Sequence, residues 1–146
     1  MIALLQRVGS ASVEVAGGTV GAIGPGLLML VCAEPADTEQ HAARLLDKVL
    51  KLRIFGDDAG KMNRSLQDMQ GGLLVVSQFT LAADTSRGNR PSFAAAAPAA
   101  QGLALYEALL RLARERHHDV QSGRYGANMQ VRLVNDGPVT IPLRVD

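Results

Sequence analysis

Two short segments hold residue types that a purely structural element does not need. Ser77-Gln78-Phe79-Thr80 follows the apolar run Leu73-Leu74-Val75-Val76, and further apolar residues would prolong a buried strand better than Ser, Gln and Thr do. Their side chains either satisfy local backbone groups at a strand end or, with nearby backbone N–H groups, form the rim of a polar pocket. Thr80 carries the hydroxyl of a nucleophile, but the sequence places no base beside it to activate it. The second segment is Asn135-Asp136-Gly137-Pro138-Val139-Thr140. It is either a plain turn, being rich in turn formers, or a corner in which Gly137 lets two carbonyls approach a ligand closely. Pro138 would fix their direction, and a cis Gly137-Pro138 bond would point both the same way.

Other familiar chemistry is missing. There is no Walker loop, dinucleotide fingerprint, HExxH or paired CxxC. His117 and His118 are neighbours at the charged end of a helix, point to different sides, and read as a solvated helix end helped by the dipole. His41 falls in an exposed first helical turn without a carboxylate or nucleophile partner, so a Ser-His-Asp triad has no base. Cys32 is the single cysteine, reads as a small buried hydrophobe, and excludes an intrachain disulfide. No metal and no cofactor is expected.

Composition bounds the partners. Fifteen Lys and Arg against 14 Asp and Glu leave a net charge of +1, and aromatics are 3% with no Trp. A protein that wraps long nucleic acid needs a basic excess, and one that stacks single strands needs aromatic platforms. This chain can grip only a short stretch such as a terminus, and no DNA partner is expected. No apolar run reaches the roughly 20 residues that span a bilayer, and the N-terminus carries Arg7 too early for a signal peptide. A cytoplasmic protein without a membrane partner is the expectation.

The elements that must position these segments follow from periodicity. Residues 2–8, 11–16 and 20–23 read as strands with a Gly17-Gly18 hairpin turn, and 27–33 as a strand buried on both faces. Asp37 or Thr38 caps a helix that runs to about Phe55 with Leu45, Val49 and Leu52 on one face. Residues 73–76 form a core strand, and 84–93 a polar, turn-rich segment. Pro98 opens a second helix of about twenty residues with Leu103, Tyr106 and Leu110 inside. Strands at 120–125, 129–134 and 139–143 follow, and Pro142 places the last at an edge. One domain over residues 1–146 is expected, of α+β class: a mostly antiparallel, barrel-like or two-layer sheet with two long helices packed on one side.

Together the two segments resemble the D-aminoacyl-tRNA deacylases, which pair a Ser-Gln-x-Thr motif with a Gly-Pro motif near the C-terminus. The likeness covers nearly the whole chain, through Gln6-Arg7-Val8, Leu52-Arg53-Ile54-Phe55, Gly60-Lys61-Met62-Asn63, Arg90-Pro91-Ser92-Phe93 and Gly126-Ala127-x-Met129. Tyr125 stands where Phe is common and Asn128 where an acidic residue is common; neither touches the two motifs.

The resemblance implies a homodimer with active sites at the interface, acting on the aminoacylated 3′ end of tRNA in chiral proofreading. Ser77, Gln78, Phe79 and Thr80 would form one wall, and Gly137-Pro138 of the partner subunit would hold the α-amino group and exclude an L side chain. Arg7 would anchor that corner through backbone carbonyls, and Met129 would stand on the substrate side. Glycine, lacking a side chain, would pass as well. Backbone N–H groups near Phe79 and Thr80 would stabilise the oxyanion. Two routes to hydrolysis stay open: water activated by the tRNA 2′-hydroxyl, or a covalent Thr80 intermediate. Lys61, Arg64, Arg87 and Arg90 could meet phosphates. The rival readings are a small-molecule esterase using Thr80 or Ser77, and a non-catalytic nucleic-acid-binding module.

Overall fold

The computed structural model describes all residues, 1–146. Strand β1 (Ile2–Val15) turns at Ala16-Gly17 into β2 (Gly18–Ile23), and β3 (Gly26–Cys32) follows. Helix α1 (Glu39–Lys51) leads to a small hairpin of β4 (Phe55–Gly56) and β5 (Met62–Arg64), then to the single-turn α2 (Leu66–Met69). After β6 (Gly72–Ser77) come a 3-10 turn (Phe79–Ala82), helix α3 (Ala99–Arg116), β7 (Val120–Ser122) and the long β8 (Gln130–Arg144).

The main sheet runs β2-β1-β3-β6-β7, and β8 pairs with the other edge of β1. Strand β1 is long enough to hold β3 along Ile2–Val8 and β2 along Ala11–Val15. Pairing is antiparallel around β1 but parallel for β3–β6 and β6–β7, because α1 and α3 carry the chain back between those strands. β2 curls round to contact β7, so the barrel is nearly closed. The α+β architecture with two long helices on one side is therefore present.

Two cores explain the apolar runs. Leu27, Met29, Leu73 and Val75 face α1 and α3, among Leu45, Leu46, Val49 and Leu109. The alternate residues Leu28, Leu74 and Val76 face into the barrel with Val8, Val13 and Ile23. A strand buried on both faces cannot show polar alternation.

Several boundaries differ from the sequence reading. The strands expected at 2–8 and 11–16 are one strand, Ile2–Val15, and the hairpin turn is Ala16-Gly17. Helix α1 ends at Lys51, with Leu52 extended as its C-cap, because Phe55 leaves to pair with Arg64. Leu103 is 38% exposed, and Leu105, Tyr106, Leu109 and Leu110 form the inner face of α3. Strand 120–125 stops at Ser122. His117 is buried, not solvated: its Nε2 lies 2.6 Å from the Gly71 carbonyl, which ties the end of α3 to the loop before β6. His41 closes the first turn of α1, where its Nδ1 accepts the Thr38 N–H at 3.0 Å.

Candidate active site

The pairing of β6 with β3 ends at Ser77 opposite Val31, and the Gln78 N–H closes it with a 2.8 Å bond to the Val31 carbonyl. Gln78 then leaves the strand geometry and the chain tightens into the 3-10 turn. The N–H groups of Phe79 and Thr80 open that turn, ahead of its first internal bond from the Leu81 N–H to the Gln78 carbonyl at 3.2 Å. Phe79 is 57% exposed and meets Phe93 edge-on, with ring centroids 5.1 Å apart. The Gln78 amide donates to the Thr80 hydroxyl. That oxygen therefore faces an amide, not a base.

Ser77, Gln78 and Phe79 form one wall of a cleft of about 590 Å³. Phe93, Tyr125 and Met129 supply much of the rest. The volume is that of a small-molecule site, and apolar walls with a few polar groups are usual for one. Thr80 is exposed and does not line the cleft. Tyr125 and Asn128, which lie outside the two motifs in the sequence, both line it. Phe93 and Tyr125 are site residues the sequence reading did not single out; the fragment Arg90-Pro91-Ser92-Phe93 was the available signal.

Behind the wall the packing is fixed. The Cys32 thiol donates to the Ala33 and Phe79 carbonyls at 3.3 and 3.6 Å, and burial, followed by the charge of Glu34, pushes its pKa up. The Tyr106 hydroxyl donates to the Val75 and Gly123 carbonyls at 3.0 and 3.3 Å, and burial pushes its pKa up to about 12. Both groups stay neutral at physiological pH and act as struts.

Directly before Phe93, the loop 84–92 is pinched by paired backbone bonds between Asp84 and Ser92 of 2.8 and 2.9 Å. Ser86 hydrogen bonds hold the Asp84 carboxyl below its usual range. Arg87 and Arg90 stand exposed on this loop. Lys61 is exposed on the β4–β5 hairpin, where Arg64 pairs with Asp58 at 3.0 Å.

The Gly137-Pro138 corner is an excursion from β8. Gln6 faces Thr140 and Val8 faces Asn135, so five steps along β8 oppose two along β1. The extra residues loop outward, and Asp136, Gly137 and Pro138 are exposed. The Gly137-Pro138 bond is cis. Arg7 donates from Nε to the Asp136 carbonyl at 3.2 Å and from a terminal nitrogen to the Ile54 carbonyl at 2.7 Å. The Asn135 amide donates to the carbonyls of Arg7 and Val139, both at 3.0 Å. Within one chain this corner and the Ser77–Phe79 wall lie apart. Ser77 is level with Val31 and Asn135 with Gly26, five residues along β3, roughly 16 Å at strand rise.

Residues 4–144 match the family model described as D-Tyr-tRNA(Tyr) deacylase. The chain belongs to that family. Proteins named D-aminoacyl-tRNA deacylase from Methylibium petroleiphilum and from an Azoarcus strain are each 68% identical to it. Both alignments cover 99% of this chain, and 95% and 96% of those proteins. The family's enzymes are hydrolases acting on ester bonds. A solved structure named c-Myc DNA Unwinding Element Binding Protein superposes with a TM-score of 0.93 at 40% identity, covering 100% of this chain and 99% of that one. A probable eukaryotic D-amino acid tRNA deacylase shares the fold, with a TM-score of 0.85 at 18% identity and 97% coverage of each chain. No helix is long and apolar enough to cross a membrane.

Proposed function

We propose that this chain hydrolyses the ester of D-aminoacyl-tRNA as a homodimer, releasing the free D-amino acid and tRNA. The observation that carries the reading is the pair formed by a cleft walled by Ser77, Gln78 and Phe79 and a separate, anchored, exposed backbone corner at Gly137-Pro138. One chain holds the two apart, and a second copy that brings its corner to the cleft would join them. The outer edge of β8 supports such a copy: it is unpaired over 15 residues, with Val134 61% exposed. A long open strand edge is a ready surface for strand-to-strand association.

In the dimer, Gly137 and Pro138 carbonyls hold the substrate α-ammonium and occupy the space an L side chain needs. Exclusion by rigid backbone rejects one mirror image without selecting a side chain, so many D-amino acids are accepted, and glycyl-tRNA is cleaved too. A pocket that discriminates by a methylene supplies only about 1–3 kcal/mol, so a hard clash is the better device. The Phe79 N–H on the cleft wall, with the adjoining backbone N–H of Thr80 at its rim, receives the developing oxyanion, a contribution of about 10²–10³ in rate per donor. The attacking water is activated by the neighbouring ribose 2′-hydroxyl. Met129 closes the substrate side, and Arg87 and Arg90 meet acceptor-end phosphates.

Incubation with matched D- and L-aminoacyl-tRNA, following released amino acid, tests the assignment. Release from the D ester and glycyl-tRNA, with the L ester intact, is expected; equal cleavage of both enantiomers refutes it. Thr80→Ala is expected to cost less than about tenfold in kcat, because a true nucleophile costs on the order of 10⁶ when removed. An acyl-enzyme trapped on Thr80 would establish the esterase rival instead. The DNA-binding name of the 40%-identical structure favours a second reading, retention of nucleic acid without hydrolysis. Tight, salt-sensitive binding of uncharged nucleic acid with no ester cleavage would establish that reading.

A further inference from the structure

Two side chains of the cleft wall, Tyr125 and Met129, belong to the loop between β7 and β8, and each is seated over a glycine. Gly123 opens the loop. Its N–H donates to the Val75 carbonyl at 2.9 Å, and its own carbonyl accepts the Tyr106 hydroxyl at 3.3 Å. A Cβ on Gly123 would lie 2.6 Å from Met129 Sδ. Gly102, buried in the first turn of α3, makes the corresponding room for Tyr125. The three atoms nearest to a Cβ at Gly102 all belong to Tyr125. The hydroxyl oxygen would stand far inside contact distance, whereas the ring carbon that bears it would lie at 3.4 Å, an ordinary contact. That hydroxyl also donates to the Ala99 carbonyl at 3.2 Å, so the tip of Tyr125 is lodged over the start of α3.

Glycine is among the poorest helix formers, so α3 itself gains nothing from Gly102. Its benefit lies in the ring it admits. The helix cannot withdraw to make that room. The Gly102 N–H donates to the Pro98 carbonyl at 2.8 Å, and the Ala97 N–H to the Ala33 carbonyl at 2.8 Å. Gln101 donates to the Pro35 and Asp37 carbonyls at 2.9 and 3.3 Å. Behind Tyr125 stands the Tyr106 ring, with centroids 5.7 Å apart, and its hydroxyl is bound to the Val75 and Gly123 carbonyls. Retreat toward the interior is thus blocked. Tyr125 is half-buried and lines the cleft, so a ring refused by α3 swings into the cleft.

We propose that Gly102 is a positioning residue which, by admitting the Tyr125 hydroxyl, sets the width of the cleft and hence how well it takes substrate. The proposal rests on the reading that D-aminoacyl-tRNA binds in this cleft. The Ser77–Thr80 turn is held separately, by the Gln78 N–H on the Val31 carbonyl, so the pair governs binding and leaves turnover to the turn.

The test compares Gly102→Ala, Tyr125→Phe and the double variant with the wild type on D-aminoacyl-tRNA. Gly102→Ala is expected to raise KM by roughly 10- to 100-fold, the scale of one methylene of misfit in a pocket. Its kcat should stay within about threefold of the wild type, because the lost interaction is one of binding. Tyr125→Phe alone should leave KM within about threefold. Adding Tyr125→Phe to Gly102→Ala should bring KM back to that range, since the ring without its oxygen clears the methyl. A loss that arose from α3 itself would not be repaired by deleting a hydroxyl on another element. A second readout needs no activity. The chain has two tyrosines, so carbon-13 labelling of tyrosine gives two sets of ring signals. Gly102→Ala is expected to move those of Tyr125 and to leave those of Tyr106 in place. Wild-type KM in folded Gly102→Ala overturns the proposal, as does an unmoved Tyr125 ring or a double variant that keeps the raised KM. Should Gly102→Ala fail to fold, the double variant decides: wild-type KM supports the pairing, and a second failure to fold overturns it. If the wild type itself shows no deacylation, the functional assignment fails, and the ring signals still test the seating of Tyr125 on Gly102.

Discussion

Gly137→Ala is expected to lower kcat/KM for D-aminoacyl-tRNA by roughly 10²-fold and to collapse the preference for D over L esters. Gly137 has a φ of +127°, which an L side chain rarely adopts. A Cβ there would stand 2.8 Å from Val139 Cγ2 and 2.9 Å from an Arg7 guanidinium nitrogen. Neither neighbour yields easily: Val139 is 8% exposed, and Arg7 is held by the Ile54 and Asp136 carbonyls. The corner itself must move, and a displacement near 1 Å at a positioning element costs on the order of 10²-fold. Because Asp136, Gly137 and Pro138 are exposed, the thermal midpoint should fall only modestly. Paired rates on D- and L-aminoacyl-tRNA, with a melting curve as control, make the measurement. Unchanged rates and an unchanged enantiomer ratio would remove the corner from the mechanism.

The largest effect on stability is expected from Gly26→Ala. At this position β3 begins its parallel pairing with β6, opposite Gly72. An added Cβ would lie 2.0 Å from the Gly72 carbonyl oxygen and 2.7 Å from its nitrogen, both backbone atoms. Gly72 cannot retreat, because its own Cα faces Ile23 and the Asp119 carboxylate at distances that leave no room for a methyl. Relief would require separating β3 from β6, the two strands that carry both cores. A cost above about 4–5 kcal/mol is expected, at the extreme of single substitutions. Against a total stability of about 5–15 kcal/mol, much of the chain would be unfolded or insoluble. Urea unfolding followed by circular dichroism decides: a midpoint near that of the wild type would mean that the strands separate more readily than their geometry allows.

The sequence made some of this plain and hid the rest for physical reasons. Helix α1 was legible because Leu45 and Val49 recur at helical spacing above a capping Thr38, and the β1–β2 hairpin because Val13 and Val15 alternate with polar neighbours ahead of Gly17-Gly18. The β4–β5 hairpin and α2 span only two to four residues each, too short for any period to register. The parallel order β3-β6-β7 was invisible because register depends on partners some 45 residues apart. His117 looked solvated among Arg114, Glu115 and Arg116, and only the return of Gly71 beside the helix end buries it. At the site, the polar ending of an apolar run flagged Ser77–Thr80. Phe93 and Tyr125 were missed because an aromatic on a loop carries no local sign of what it faces. The sequence also could not place Thr80 outside the cleft, a matter of a single 3-10 turn.

The two ends of the polypeptide meet. Ile2 pairs with Arg144, and the strand formed by the last residues runs the whole length of the first. During synthesis at about 5–20 residues per second, β1 must therefore wait roughly 6 to 29 s for its outer partner. Throughout that interval a strand rich in Ile, Leu and Val has an unsatisfied row of amides and carbonyls. Until β8 follows, the nascent chain depends on whatever shields that row.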